Sequence, residues 1–205
     1  MTVRALLLDM DGVLVFSEEA WFAVYNETLV HFGHPAIPRE AFDAIYGNGT
    51  EADRAAYMPE RTVEEINAAY ARFFERHLSK VRPNAEAPTF LAEARARGVG
   101  RCVATNTTGP LAGRILALTG LLPLLDDVAA ADDAGAGKPD PAVLHLASAR
   151  LGTPLSEALF VGDSSYDEEA AARAPVPFVG FRYGRGDRVG SLLELLGRLP
   201  APPPA

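Results

Sequence analysis

The chain has 205 residues, 48% of them hydrophobic and 22% charged. That is enough apolar material for a buried core, which excludes wholesale disorder. The formal net charge of −8 excludes nucleic acid and anionic membranes as partners, since both demand basic patches.

Residues 3–8 (VRALLL) form an unbroken apolar run, the pattern of a strand buried on both faces in a parallel sheet. Asp9 and Asp11 stop the run too early for a signal peptide or a membrane span. From Ser17 the stretch SEEAWFAVYNETLVHFG reads as a helix capped by Ser17, with acids in its first turn and Gly33 past its end. A shorter helix is predicted over 38–45, followed by the loop Gly47-Asn48-Gly49-Thr50. Thr62 opens a further helix in which Val63, Ile66, Ala69, Tyr70, Phe73 and Phe74 recur at helical spacing. The segment 81–88 (VRPNAEAP) reads as a linker.

Beyond it, strands are predicted at 99–104, 127–130, 158–161 and 176–181. They alternate with helices over 86–97, 110–119, 141–151 and 166–174, and a last helix is predicted over 189–198. This alternation defines a doubly wound α/β core with a parallel sheet. The expected division is a core of 1–16 and 82–200, an all-helical insert of 17–81, and a disordered tail of 201–205. A single cysteine, Cys102, allows no intramolecular disulfide and no cysteine metal cluster. It fits a reducing cytoplasm.

In open parallel sheets, ligands bind beyond the carboxyl ends of the strands. Polar residues stand at four such ends: Asp9 and Asp11 in DMDGVL, Thr105 and Asn106 in VATNTTG, Lys138 in GKPDP, and Asp163 and Asp167 in GDSSYD. Four carboxylates against one ammonium would raise one another's pKa values. A hard divalent cation resolves the conflict, and carboxylate oxygens with water suit Mg²⁺. Only two lysines exist, Lys80 and Lys138, so a phosphate held here would depend on the metal, Lys138, Thr105 and backbone N–H groups. Asp132 and Asp133 read as solvated loop acids, and the four histidines show no ligand spacing.

These four motifs in order resemble those of the haloacid dehalogenase (HAD) superfamily, and the helical insert resembles its C1-type cap. The similarity spans about residues 3–185. It is nearest to the phosphoglycolate-phosphatase-like and β-phosphoglucomutase-like hydrolases. The resemblance implies a HAD-like Rossmannoid three-layer core and a Mg²⁺-dependent phosphatase acting on a small phosphorylated metabolite. Asp9 would be the nucleophile that forms an aspartyl-phosphate, and Asp11 the general acid and base. Thr105, Asn106 and Lys138 would hold the phosphoryl group. Asp9, the Asp11 backbone carbonyl and Asp163 would hold the metal, supported by Asp167. By its position, the loop 47–50 would read the substrate through Asn48 and Thr50, with Arg54 adding charge. Val13 and Phe16 depart from the DGTLVDS pattern of many relatives; Phe16, at the entry to the insert, leaves no carboxylate there to read a substrate.

Two alternatives stay open at this level: a phosphomutase using the same intermediate, and a phospho-accepting receiver domain. The receiver would place its nucleophile after the third strand, where this chain has Lys138. Either a monomer or a homodimer is compatible with the sequence.

Overall fold

The computed structural model describes residues 2–202. Its centre is a six-stranded sheet in the order β5-β4-β1-β6-β7-β8, with every neighbouring pair parallel. Strand β1 (Ala5–Leu8) is fully buried. Leu6 and Leu8 face one apolar cluster, while Ala5 and Leu7 face a second. The same alternation runs through β4 (Gly100–Thr105) and β6 (Ala158–Gly162). It follows from the two-residue period of a strand and makes the core three-layered. Helices α5 (Ala87–Ala96) and α6 (Gly109–Leu118) cover one face; α8 (Ala142–Leu151) and α9 (Ser165–Arg173) cover the other. Each fully buried leucine of β1 contributes roughly 1.5–3 kcal/mol.

From β1 the sheet is built outward in both directions. Strands β4 and β5 (Asp127–Ala130) lie on one side, and β6, β7 (Phe178–Phe181) and β8 (Arg188–Val189) on the other. The reversal at β1 leaves a crevice at its carboxyl end, where ligands bind in folds of this kind.

The insert leaves and re-enters the core through a short antiparallel ribbon of β2 (Val15–Phe16) and β3 (Arg82–Pro83). Between these strands lie α1 (Glu18–His31), α2 (Arg39–Asp43), α3 (Thr50–Tyr57) and α4 (Val63–His77). Edge-on aromatic pairs hold them together, among them Trp21 with Tyr70 and with Phe74, and Tyr25 with Phe42. Thr62 starts α4 with a complete capping box to Glu65, worth about 1 kcal/mol. In the core, α7 (Ala131–Ala134) is a single turn that leads into the Lys138 loop.

Three expectations are corrected. Ser17 does not cap α1: its hydroxyl donates to Asp11 instead. Thr50–Tyr57 is a helix that apolar periodicity did not reveal, because its single buried residue is an acid, Asp53. The predicted helix over 189–198 is strand β8 followed by a 3₁₀ turn, Leu192–Arg198. Of the expected tail, 201–202 are exposed and without regular structure, and 203–205 lie outside the described residues.

Candidate active site

Asp9 follows β1 directly, and its backbone N–H donates to the Val161 carbonyl at 2.9 Å. Its carboxylate is buried, and Oδ1 accepts from Lys138 Nζ at 2.6 Å. The same ammonium donates to Asp167 Oδ1 at 2.7 Å. Asp167 Oδ2 accepts from the Ser164 hydroxyl and from the N–H groups of Asp163 and Ser164. Asp167 thus fixes both Lys138 and the turn that carries Asp163. Oxygens of Asp9, Asp163 and Asp167 lie within 4.8 Å of one another.

Asp11 is held separately. Its Oδ1 accepts from the Ser17 hydroxyl and from Trp21 Nε1, and its Oδ2 accepts from the Thr107 hydroxyl at 2.9 Å. Two of those donors come from the start of the helical insert, so its placement sets the orientation of Asp11. The sequence marked Ser17 only as a helix cap and did not mark Trp21. Thr107 carried one signal, lying two residues after Thr105.

Thr105 Oγ1 accepts from the Thr107 N–H at 3.1 Å. The Asn106 side chain is a clamp: its Oδ1 accepts from the Lys138 N–H, and its Nδ2 donates to the carbonyls of Lys138 and Gly47. It joins the lysine loop to the insert's loop 47–50. Two motif glycines are steric requirements. A Cβ on Gly12, where φ is +87°, would lie 1.8 Å from Asp163 Oδ2, and one on Gly162 would lie 2.4 Å from the Asp167 Cβ.

The electrostatics follow from burial. Burial raises the Asp9 pKa well above the usual carboxylate range; Lys138 opposes the rise, and Asp167 and Asp163 add to it. Asp163 is pushed up to about 7 by burial and then by Asp167. Burial also raises Asp11, against its bonds from Ser17, Thr107 and Trp21. For Lys138 burial works against the ammonium, but Asp167 and Asp9 outweigh it, so its pKa is raised. The site therefore crowds carboxyl groups around one fixed cation, leaving charge for a further positive group to neutralise.

A cavity of about 340 Å³ opens over these residues. Asp9, Asp11, Thr105, Asn106, Lys138 and Asp163 lie on its floor, and Asn48 and Thr50 line it from the insert. Arg54 does not line it: its guanidinium is bound to the Glu51 carboxylate and the Pro59 carbonyl. The i,i+3 spacing on α3 favours that local pair over a reach into the cavity. Phe16 stands 38% exposed beside a neighbouring depression, under the Arg182 guanidinium. Asp132 accepts from the Gly109 N–H and Asp133 pairs with Arg150, so neither orients Lys138.

The haloacid dehalogenase-like hydrolase profile matches residues 3–175, the stretch that carries all four strand ends. The chain belongs to that family. It is an enzyme of the phosphatase type, a phosphoric monoester hydrolase. A phosphoglycolate phosphatase of Yersinia pseudotuberculosis is 31% identical over 193 residues, covering 89% of this chain and 82% of the relative. A plasmid-borne phosphoglycolate phosphatase of Cupriavidus necator is 32% identical, covering 96% and 91%. Pyrophosphatase PpaX of Bacillus velezensis is 30% identical, covering 87% and 82%. Among solved structures, a HAD-superfamily hydrolase of Geobacter sulfurreducens superposes with a TM-score of 0.79 at 25% identity, over 97% of this chain and 100% of the other. CbbY from Rhodobacter sphaeroides, in complex with phosphate, superposes with a TM-score of 0.82 at 24% identity, over 97% and 99%. Among the described residues, no helix is long and apolar enough to cross a membrane.

Proposed function

We propose that this enzyme is a cytoplasmic, Mg²⁺-dependent phosphatase that hydrolyses a small phosphate monoester through an aspartyl-phosphate on Asp9. The observation that carries the reading is the pairing of two carboxylates, Asp9 buried and Asp11 half-buried, with different partners at the sheet's switch point. Asp9 has one oxygen committed to Lys138, which leaves Oδ2 for phosphorus. Asp11 is fixed through both oxygens by three neutral donors.

In the first step Asp9 Oδ2 bonds to phosphorus and the ester P–O bond breaks, with Asp11 giving a proton to the departing alkoxide. Burial keeps that proton on Asp11 at higher pH than an exposed carboxyl would allow. In the second step Asp11 takes a proton from water, whose oxygen displaces Asp9 from phosphorus and releases inorganic phosphate. The Lys138 ammonium offsets charge on the transferring group, and Thr105 with the backbone N–H groups positions it.

The donor set fits a hard divalent cation: three carboxylates within reach of one another, two with raised pKa values, all offering oxygen. Asp9, Asp163 and the Asp11 backbone carbonyl would hold Mg²⁺, with Asp167 in support. When bound, the metal neutralises the acidic floor and polarises a phosphoryl oxygen. The insert then acts as a cap, hinged at the β2–β3 ribbon, that excludes bulk water. Phosphate release from p-nitrophenyl phosphate and a panel of phosphorylated metabolites, with Mg²⁺, tests the reading. Turnover by wild type and its loss in Asp9→Asn is the expected result; equal turnover by the variant contradicts it.

A further inference from the structure

The insert forms the roof of the cavity, and the strand ends form its floor. The two meet at the start of the insert, where Ser17 and Trp21 hold Asp11. Away from that end, two further side-chain contacts join the insert to the core among the described residues. One is the ion pair of Arg114 with Glu75, at 3.3 Å and with both side chains half exposed. Solvent screens such a pair, so it does little to fix the insert. The other lies at the cavity: Asn106 Nδ2 donates to the Gly47 carbonyl at 3.0 Å.

Every N–H of the Asn106 amide is engaged. Its Oδ1 accepts from the Lys138 N–H at 2.6 Å, and its Nδ2 donates to the Lys138 carbonyl at 3.0 Å. The amide thus pairs both backbone groups of Lys138, as a neighbouring strand would, and its other N–H goes to Gly47. The packing around it is close. A Cβ on Gly137 would lie 2.7 Å from Asn106 Oδ1, so a glycine there lets the amide meet the lysine loop. On the insert's side, Gly47 has a φ of +93°, and a Cβ there would lie 3.6 Å from the Tyr166 ring. The Gly47 backbone therefore sits between Asn106 and the start of α9. Lys138 is 5% exposed, and its ammonium is shared by Asp9 and Asp167. Among the described residues it is the sole lysine or arginine lining the cavity. Holding a long, flexible side chain on two carboxylates costs entropy, and less of it when the backbone beneath is already fixed.

We propose that the Asn106 side chain is a positioning residue that ties the seating of the insert to the placement of Lys138. With the loop 47–50 down, the Gly47 carbonyl takes one amide N–H and fixes the plane of the amide. The other two bonds then hold the Lys138 peptide, and the ammonium stands against Asp9 and Asp167. With the loop lifted, the amide loses its third restraint and Lys138 is held less firmly. The cation of the phosphoryl site is thus set in place under a seated insert. This role belongs to the side chain and is separate from that of the Asn106 backbone N–H at the phosphoryl group. The inference rests on the phosphatase and cap reading above, and it names the group that senses closure.

The chain has two lysines and one cysteine, so the position of Lys138 can be read without turnover. Lys80 is exposed and Cys102 is fully buried. A brief pulse of an amine-acylating reagent with a thiol reagent, followed by peptide mass analysis, gives the labelling rate of Lys138. Lys80 is the reference, and Cys102 reports unfolding. Wild type is expected to label slowly at Lys138. Two variants remove the amide's donors: Asn106→Ala, and the isosteric Asn106→Asp, which keeps the acceptor. Both are expected to speed Lys138 labelling about tenfold or more with Cys102 still protected, and to lower kcat on p-nitrophenyl phosphate by a similar factor. Gly47→Ala disfavours the φ that presents its carbonyl to Asn106. It is expected to speed Lys138 labelling about two- to tenfold, the scale of one hydrogen bond, and to add nothing in the Asn106→Ala background. Unchanged Lys138 labelling in both Asn106 variants overturns the positioning role. So does labelling of Cys102 together with Lys138 in both, since Asn106 then serves the fold as a whole. A Gly47→Ala enzyme with wild-type labelling, or additive effects of the two alanine substitutions, overturns the coupling to the insert. Labelling needs no turnover, so a wild type that releases no phosphate from any ester defeats the phosphatase reading by itself.

Discussion

The floor and the roof of the cavity treat their acids differently. On the floor, Asp11 takes three side-chain donors, Asp167 takes Lys138 and the Ser164 turn, and Asp9 takes Lys138. On the roof, Asp53 takes only neutral donors, the hydroxyls of Tyr70 and Tyr25, and no cation. The floor's side chains are held before anything binds, which suits the fixed phosphoryl group proposed for it. The roof meets its buried acid with uncharged donors alone, so burial dominates the titration of Asp53. The insert also supplies Ser17 and Trp21 to Asp11, the proposed general acid, so binding overhead is coupled to the floor below.

The sharpest way to break this comparison is to remove the floor's proposed nucleophile. Asp9→Asn should lower kcat by about 10⁴-fold or more, the scale seen when a covalent nucleophile is deleted. Its Tm should hold or rise, because the fold disfavours the charge on Asp9. Lys138→Met should do what Asp9→Asn does not: abolish activity and destabilise the fold by about 3–5 kcal/mol, read from urea unfolding, because it strips the cation from buried acids. Chelation with EDTA should stop phosphate release and Mg²⁺ restore it, with Mg²⁺ also raising Tm by binding the folded state. Activity in excess chelator would remove the electrostatic case for the floor.

The roof is tested by pH. Asp53 moves from an ordinary value of 3.8 to about 7 on folding, so between those values the folded state binds more protons than the unfolded one. Stability then falls as pH rises across that window and levels off above it. Asp53→Asn removes this contribution, so its gain in Tm over wild type should be larger at pH 8 than at pH 5. A gain independent of pH would show that Asp53 titrates normally. The smallest effect is distant from both halves: Thr62→Ala should cost about 1 kcal/mol of stability through the lost capping box of α4, with kcat held.

The legible parts of the sequence were those set by local period and by position at a strand end. The apolar run 3–8 holds the central strand Ala5–Leu8, and Asp9, Thr105, Lys138 and Asp163, each placed at or beyond a strand end by the sequence, line one cavity. What stayed hidden depends on contacts between distant segments. The grip on Asp11 joins residues 17, 21 and 107, and the Asp53 bond to Tyr70 spans two helices. Arg54 misled because a guanidinium near a loop looks available until its local partner is known. Helix α3 was missed because its buried face is a carboxylate, which a hydrophobic pattern does not register.

The most direct test of the account is to trap the intermediate. Enzyme mixed with a turned-over ester and Mg²⁺, quenched in acid within the first turnover and digested with trypsin, should yield a peptide of residues 5–39 whose mass is increased by one phosphoryl group. Fragmentation should place that group on Asp9, and the Asp9→Asn enzyme should show none. A phosphoryl group on any other residue, or full turnover with no labelled peptide at any quench time, would contradict the assignment of Asp9 as the nucleophile.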